Sequence, residues 1–207
     1  MLAKTDTYPL FISYERDSSA GYSLTLYDHL SVHFGDGAVF RDAQSIGAGT
    51  VWKPVFRKLI KQCRGLVVVV APDWQEPRML EKLKDPDGWV RQEIVTALEE
   101  GKGIFPVLCR GAVAPPLDLL PEAIRPAFDN FNQFQFHDGP TWRQELEVLI
   151  ADIEQRTGLA RLARGASAEI RLCDRVLARL DRNRQAAALR GRVEAGERLF
   201  VVAGNPK

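Results

Sequence analysis

The sequence predicts an α/β protein built on a five-stranded parallel sheet with helices on both faces. Short apolar runs alternate with longer amphipathic stretches through the first 157 residues, and parallel neighbours need such crossover connections. The run at 65–71 (GLVVVVA) contains four consecutive valines, which is typical of a strand buried on both faces. Together these two observations predict a parallel sheet with helices on both faces.

Each element follows from its own pattern. Apolar runs predict five strands, of which the last alternates like an edge strand; they cover 8–14, 38–40, 65–71, 103–109 and 130–136. Apolar residues at helical spacing predict four helices, at 20–34, 50–63, 87–100 and 141–157. Pro54 suits the first turn of the second helix. In the third helix, Asp85 or Asp87 is expected at the N-cap and Gly101 at the end.

Two helices show the residues that they should bury. The third helix carries an apolar stripe of Val90, Ile94, Ala97 and Leu98, and the fourth carries Leu146, Leu149, Ile150 and Ile153. We expect the flavodoxin-like order of strands, in which a ligand sits beyond the carboxyl ends of the strands. The segments that follow those ends and form that rim are 15–21, 42–50 and 72–88.

Charge divides the chain into two parts. Residues 1–157 hold 17 Lys+Arg against 22 Asp+Glu, whereas residues 158–207 hold 11 against 5. We therefore expect a domain at 1–157 that does not bind nucleic acid. We expect 158–207 to be a C-terminal helical extension, a basic linker that leads into a truncated or missing second domain, because the strand-like run 198–203 (RLFVVA) lies near the end.

Cysteine usage and hydropathy indicate the compartment. The three cysteines, Cys63, Cys109 and Cys173, are odd in number and widely spaced, so we expect no disulfide framework and a reduced, cytoplasmic setting. The longest apolar run, at 66–71, is too short to cross a membrane. His29 and His33 share a helix four residues apart, but no third ligand accompanies them, so we predict no metal site.

One pair of residues stands out at the start of the third helix. Trp89 and Glu93 are four residues apart in WVRQE, a spacing that places them on one helical face beside the core stripe. An indole next to a carboxylate at the rim can hold a flat cationic ring. The same spacing also fits a buried anchor tryptophan with a solvated glutamate, and spacing alone favours that second interpretation.

Six segments, in order, resemble the sequence boxes of Toll/interleukin receptor (TIR) domains over about residues 8–155. They are 11–16 (FISYER), 39–42 (VFRD), 45–49 (SIGAG), 66–72 (LVVVVAP), 89–98 (WVRQEIVTAL) and 101–107 (GKGIFPV). The last two resemble enzymatic members of the family, which include bacterial defence proteins and the animal axon-degeneration NADase.

The resemblance implies a reaction and a set of roles. Glu93 matches the catalytic glutamate of NAD⁺ glycohydrolysis, so NAD⁺ is expected as substrate, with no cofactor. The residues expected to bind it are Ser13, Tyr14, Arg16, Trp52 and Trp89. The loop that mediates self-association in the family corresponds here to Asp42, Ile46, Gly47 and Gly49. A sensor or oligomerisation domain is expected to be attached to the full protein and missing from this chain.

Three function classes remain open from the sequence. The first is an NAD⁺ nucleosidase or cyclase that is activated by self-association in bacterial defence. The second is a TIR scaffold that pairs with other TIR domains and performs no chemistry. The third is a response-regulator receiver, which the residues Ser13 and Tyr14 disfavour because paired acids are expected at that position.

Overall fold

The computed structural model describes residues 8–35, 37–41, 52–137 and 139–162, without the side chains of 52–56. Five strands form one sheet: β1 Leu10–Ser13, β2 Val39–Phe40, β3 Gly65–Val70, β4 Gly103–Cys109 and β5 Phe134–Phe136. All pairs are parallel, and the order is β2-β1-β3-β4-β5. This confirms the predicted flavodoxin-like α/β fold.

Among the described residues, six helices connect and cover the strands: α1 Arg16–Phe34, α2 Trp52–Gln62, α3 Pro77–Lys84, α4 Trp89–Glu99, α5 Pro126–Asp129 and α6 Trp142–Thr157. The same part of the chain has three short 3-10 turns, at Pro72–Gln75, Leu117–Leu119 and Glu122–Ile124. Within the described part of the chain, no helix combines the length and the apolar character that a membrane crossing requires.

The core has two layers, one on each face of the sheet. Leu26, Leu30 and Phe34 of α1 join α6 on one face, while Ile60 of α2 and the buried residues of α3, α4 and α5 lie on the other. All six residues of β3 are buried, as the valine run predicted. The stripes predicted for the third and fourth helices are buried too, except that Leu98 is half-buried.

Several boundaries differ from the sequence analysis. The first helix begins at Arg16, four residues earlier than predicted. The rim segment 72–88 contains α3, which the sequence analysis did not identify. Residues 130–133 precede β5 without joining it, because α5 ends only at Asp129.

The predicted N-cap of α4 is wrong. Gly88 occupies that position, and no side chain caps the helix. The Asp85 side chain is used locally instead, because its Oδ1 accepts a hydrogen bond from the Asp87 N–H at 2.9 Å. At the other end, Gly101 has φ +61°, the left-handed conformation expected where a helix ends.

Candidate active site

Helix α4 brings Glu93 to the rim of the sheet. Val90, Ile94 and Ala97 point into the core beneath the sheet face, and Glu93 borders that buried stripe. The residue as a whole is only half-buried, yet its carboxyl oxygen Oε2 is fully buried and has no hydrogen-bond partner within the described residues. Glu93 thus places at least one carboxyl oxygen inside the protein.

Ser13 reaches the same region from the end of β1. Side chains alternate along a strand, so Phe11 and Ser13 face the layer that contains α4, whereas Ile12 faces the opposite layer. Ser13 is completely buried, and its Oγ also lacks a hydrogen-bond partner among the described atoms. It nevertheless lies near enough to Glu93 to favour the ionised carboxylate.

The surroundings of Glu93 oppose its ionisation. The pKa of Glu93 is raised to about 8, chiefly by burial; Ser13 and Arg16 act in the lowering direction, and the charge of Glu15 contributes to the rise. Desolvation is the dominant cause because a buried carboxylate loses its hydration without gaining an equivalent partner. A cation placed beside this carboxyl would therefore favour its ionised form.

Unsatisfied polar atoms are concentrated around this rim. Buried polar groups are normally hydrogen-bonded, and exceptions commonly mark a site that is filled by something else. Four buried oxygens without a partner in the described part of the chain lie in α4 or follow β1 and β3, namely Glu93 Oε2, Ser13 Oγ, Ser18 Oγ and Asp73 Oδ1. Several buried polar atoms without a protein partner therefore lie near the carboxyl ends of β1 and β3.

Ion pairs connect the segment after β1 to α3. Lys82 Nζ of α3 lies 2.6 Å from Glu15 Oε1 and 3.0 Å from Asp17 Oδ2. Arg78 lies 3.4 Å from the same Asp17 oxygen. We refer to these four side chains as the Lys82 clasp. They line a cleft of about 60 Å³ together with Asp73, Glu76 and Met79.

The structure brings some of the predicted site residues together. Trp89 is the first residue of α4, half-buried and one turn before Glu93. Arg16 opens α1 and acts electrostatically on Glu93. Tyr14 packs instead against the layer formed by α1 and α6, with the Arg41 guanidinium 4.9 Å from its ring centre, so it is not placed beside Glu93.

The remaining predicted residues cannot be located at the site. The backbone of Trp52 begins α2, but its side chain lies outside the described part. Asp42, Ile46, Gly47 and Gly49 also lie outside the described residues. Their roles in substrate binding and assembly stay predictions.

Lys82 and Asp73 are not among the residues that the sequence predicts for the site. Both fall within the rim segment 72–88. A signal for α3 was present, because Pro77 suits a first helical turn and Met79, Leu80 and Leu83 recur at helical spacing. Nothing in the sequence pairs Lys82 with Glu15, since the two residues meet only through the fold.

The histidines give no metal site in the described residues. No group of three or more His, Cys, Asp or Glu side chains there is arranged to hold an ion. His29 stacks on Trp142 with ring centres 4.7 Å apart, and burial lowers the pKa of His29 to about 4. We therefore assign His29 a role in packing.

The fold and the rim define a class of protein: a parallel α/β domain with a buried carboxyl group at the ligand-binding edge of its sheet. The chain belongs to the TIR-domain family, whose family model matches residues 10–150. It is 29% identical, over 121 residues, to the Drosophila melanogaster protein called NAD(+) hydrolase sarm1. The match covers 58% of this chain and 8% of that relative, so the chain spans less than a tenth of its length.

Solved structures to which the chain is similar include two that contain TIR domains. A metazoan TIR-STING receptor from C. gigas is 20% identical with a TM-score of 0.41, covering 74% of this chain and 42% of that one. The TIR domains of the activated Roq1 resistosome, which directly recognises the pathogen effector XopQ, are 14% identical with a TM-score of 0.36. That match covers 74% of this chain and 86% of the other.

Proposed function

We propose that this TIR domain cleaves the bond between nicotinamide and ribose in NAD⁺, with Glu93 as the catalytic residue. The observation that carries the proposal is the buried Oε2 of Glu93 close to the buried Ser13 hydroxyl, at the carboxyl ends of the parallel strands. The family membership and the name of the fly relative support the same reaction.

The reaction makes limited chemical demands. The bond from ribose C1′ to the pyridinium nitrogen breaks, and its electron pair neutralises the ring, so nicotinamide leaves as a neutral molecule without general-acid help. Water then adds to C1′ and releases one proton, or an adenine nitrogen adds and gives a cyclic product. The protein must hold the ribose and stabilise an oxocarbenium-like centre, for which a single carboxylate is sufficient.

The electrostatics of Glu93 suit a cationic substrate. Before substrate binds, the Glu93 carboxyl is largely neutral at pH 7, because burial raises its pKa to about 8. The pyridinium of NAD⁺ would favour loss of that proton, since an opposite charge stabilises the carboxylate. Glu93 would thus carry its charge in the presence of the group on which it acts.

The test is product analysis of NAD⁺ incubated with purified, concentrated protein. Wild type is expected to release nicotinamide, and Glu93→Gln and Glu93→Ala are expected to reduce the release by at least about 10²-fold, the scale of a lost electrostatic stabiliser. Glu99→Gln is the matched control, because Glu99 is exposed on the same helix. Equal activity of wild type and both Glu93 variants would refute the assignment.

Regulation by self-association is part of the proposal. Nicotinamide release per molecule is expected to rise with protein concentration, because assembly would select the competent arrangement of the site. A role in bacterial defence, together with a sensor domain outside this chain, is consistent with such a switch. A rate per molecule that stays constant over a wide range of concentrations would contradict it.

A TIR scaffold without catalysis is the second candidate. What favours it is that the cleft beside the Lys82 clasp is lined by neither Glu93 nor Ser13. The same assay separates the two functions. Specific co-sedimentation with a TIR partner and no loss of NAD⁺ at any concentration would favour the scaffold.

A further inference from the structure

The loop that follows β4 exposes a cluster of apolar side chains. Five large apolar side chains are exposed in the described part of the chain, and three of them lie within residues 113–119. They are Val113, Leu117 and Leu119, which are 63%, 38% and 43% exposed. We call these three residues the apolar ridge. Single apolar residues are ordinary on a protein surface, whereas a group of them indicates contact with another molecule.

The backbone beneath the ridge is held in place. Ala112 and Leu120, on either side of it, are buried in the core layer that contains α4. The Gln75 side-chain amide donates hydrogen bonds to the carbonyl oxygens of Val113 and Ala114, both at 3.4 Å. The ridge is therefore ordered before any partner arrives, which lowers the entropy cost of binding.

A groove of about 190 Å³ lies beside α4, between α2 and the 3-10 turn Glu122–Ile124. Pro86, Val95 and Ala123 supply apolar lining. A cavity of roughly 150 Å³ is enough for a benzene-sized group, so the groove can hold a leucine side chain. Ala123 follows Leu119 by four residues, a stretch that spans at most about 14 Å. Ridge and groove therefore adjoin on one surface.

The ridge and the groove carry opposite charges. Asp118 is exposed between the two leucines of the ridge, whereas Arg57 and Arg91 line the groove. Glu99 is the carboxylate of the lining, and it lies eight residues after Arg91 on α4, about 12 Å further along the helix. The end of the groove near Arg91 is therefore basic. The Arg91 guanidinium is fixed there, because it donates to the Lys84 carbonyl oxygen.

We propose that the apolar ridge of one molecule binds in the groove of a second copy, whose own ridge binds in the groove of the first. Two-fold symmetry produces such reciprocal contacts, and it can do so here because ridge and groove adjoin. The leucines cover Val95 and Ala123, while Asp118 faces the basic end of the groove. The inference gives the self-association in the proposed function a surface, and it does not depend on the NAD⁺ reaction.

The apolar contact is tested by the dimer dissociation constant of the full chain, measured by sedimentation velocity over a concentration series. Leu117→Ser combined with Leu119→Ser is expected to raise this constant at least about tenfold, because central apolar contacts carry most of the binding energy. Val148→Ser is the matched control, since Val148 is 61% exposed on α6, outside the ridge. Equal constants for the ridge variant and the control would overturn the proposal.

A charge exchange tests the pairing of ridge with groove. Asp118→Arg and Arg57→Asp each bring like charges together in both contacts of a dimer, so each variant alone should dimerise at least about tenfold more weakly than wild type. In an equimolar mixture of the two variants, every ridge again meets a groove of opposite charge. The mixture should therefore dimerise about as well as wild type, which a folding defect could not produce. A mixture that dimerises no better than its components would contradict the pairing.

The reciprocal arrangement also limits the size of the assembly. Each pair uses both of its ridges and both of its grooves, so the mass should stop at twice that of the monomer. Growth to larger masses that Asp118→Arg prevents would show a head-to-tail contact and refute the two-fold pairing. A chain that stays monomeric at every concentration would refute the interface itself.

The outcomes distinguish this interface from the proposed function. Dimers that respond to the variants as expected, without nicotinamide release at any concentration, support the interface and refute the NAD⁺ reaction. Nicotinamide release by a protein whose dimerisation Asp118→Arg does not weaken supports the reaction and refutes the interface.

Discussion

Two glutamate side chains in this domain, Glu154 and Glu93, have pKa values that are shifted in opposite directions. Hydrogen bonds from Arg161 lower the pKa of Glu154, whose Oε2 lies 2.7 Å from the guanidinium. Burial raises the pKa of Glu93 because its carboxyl has no comparable partner. The ion pair of Glu154 with Arg161 attaches the segment after α6 to that helix. Burial of the Glu93 carboxyl, in contrast, disfavours folding when the carboxyl is ionised. Such local frustration is common where a residue serves function instead of stability.

Glu93→Gln is therefore expected to stabilise the protein at neutral pH. The folded-state pKa of Glu93, about 8, exceeds the ordinary value of 4.5, so the wild type loses stability as pH rises from about 4.5 to about 8. Glutamine does not titrate, and it should raise the free energy of unfolding by roughly 2 kcal/mol at pH 7. Urea denaturation at a series of pH values measures the difference.

The decisive quantity in that experiment is how the stability difference between Glu93→Gln and wild type changes with pH. The advantage of Glu93→Gln should disappear near pH 4, where the folded and unfolded wild-type proteins both hold the proton. Glu99→Gln should differ from wild type by no more than about 0.5 kcal/mol at any pH, because Glu99 is exposed. A pH-independent difference for Glu93→Gln would show that the carboxyl is hydrated.

At the scale of elements, the end of α3 and the start of α4 are packed without room for a side chain. A Cβ on Gly88 would lie 2.5 Å from the Lys82 carbonyl oxygen and 3.0 Å from that of Asp85. The Gly88 N–H donates to the same Asp85 oxygen at 2.9 Å. Because α3 ends and α4 begins at this turn, the close approach fixes the position of α4 relative to α3. Glu93 lies on α4, so its position is fixed as well.

Gly88→Ala is expected to destabilise the domain by about 1–3 kcal/mol, because the added methyl group meets backbone atoms that cannot rotate away. Gly88 has φ −60°, so the effect comes from the contact and not from backbone strain. The melting temperature measures it. Gly21→Ala is the control of opposite sign: nothing lies within 4 Å of that Cβ, and alanine within a helix should add roughly 0.5–1 kcal/mol. Equal melting temperatures for wild type and Gly88→Ala would contradict the close contact.

Elements whose apolar residues recur at a regular spacing could be predicted from the sequence. Features that depend on contacts with residues far away in the chain could not. The valines of β3 fit a strand that is buried on both faces, and the apolar stripe of α6 fits a helix that is buried on one face. Each pattern was therefore sufficient to predict its element. The 3-10 turn Pro72–Gln75 and α3 are short, and their pattern is too brief to stand out. Glu93 was identified by resemblance, but its burial and the ion pair of Lys82 with Glu15 depend on long-range packing.

At the scale of the whole molecule, the two layers behave differently toward pH. The layer with α4 contains Glu93, whose raised pKa makes the folded state more stable below neutral pH than above it. The opposite layer contains His29 of α1, which stacks on Trp142 of α6. Burial lowers the pKa of His29 to about 4, and the nearby charges of His33 and Arg143 act in the same direction. Protonation of His29 therefore disfavours the contact between the two helices of that layer.

The wild type is accordingly expected to lose stability as pH falls from about 6.5, the ordinary pKa of histidine, through about 4. His29→Phe retains an aromatic ring against Trp142 but cannot accept a proton. Its free energy of unfolding relative to wild type should therefore grow by roughly 1–3 kcal/mol between pH 7 and pH 4. Because all other titrating groups are shared, the difference between the two proteins isolates His29. A constant difference across that range would show that the ring is protonated without cost, and the two layers would then not oppose each other in their response to pH.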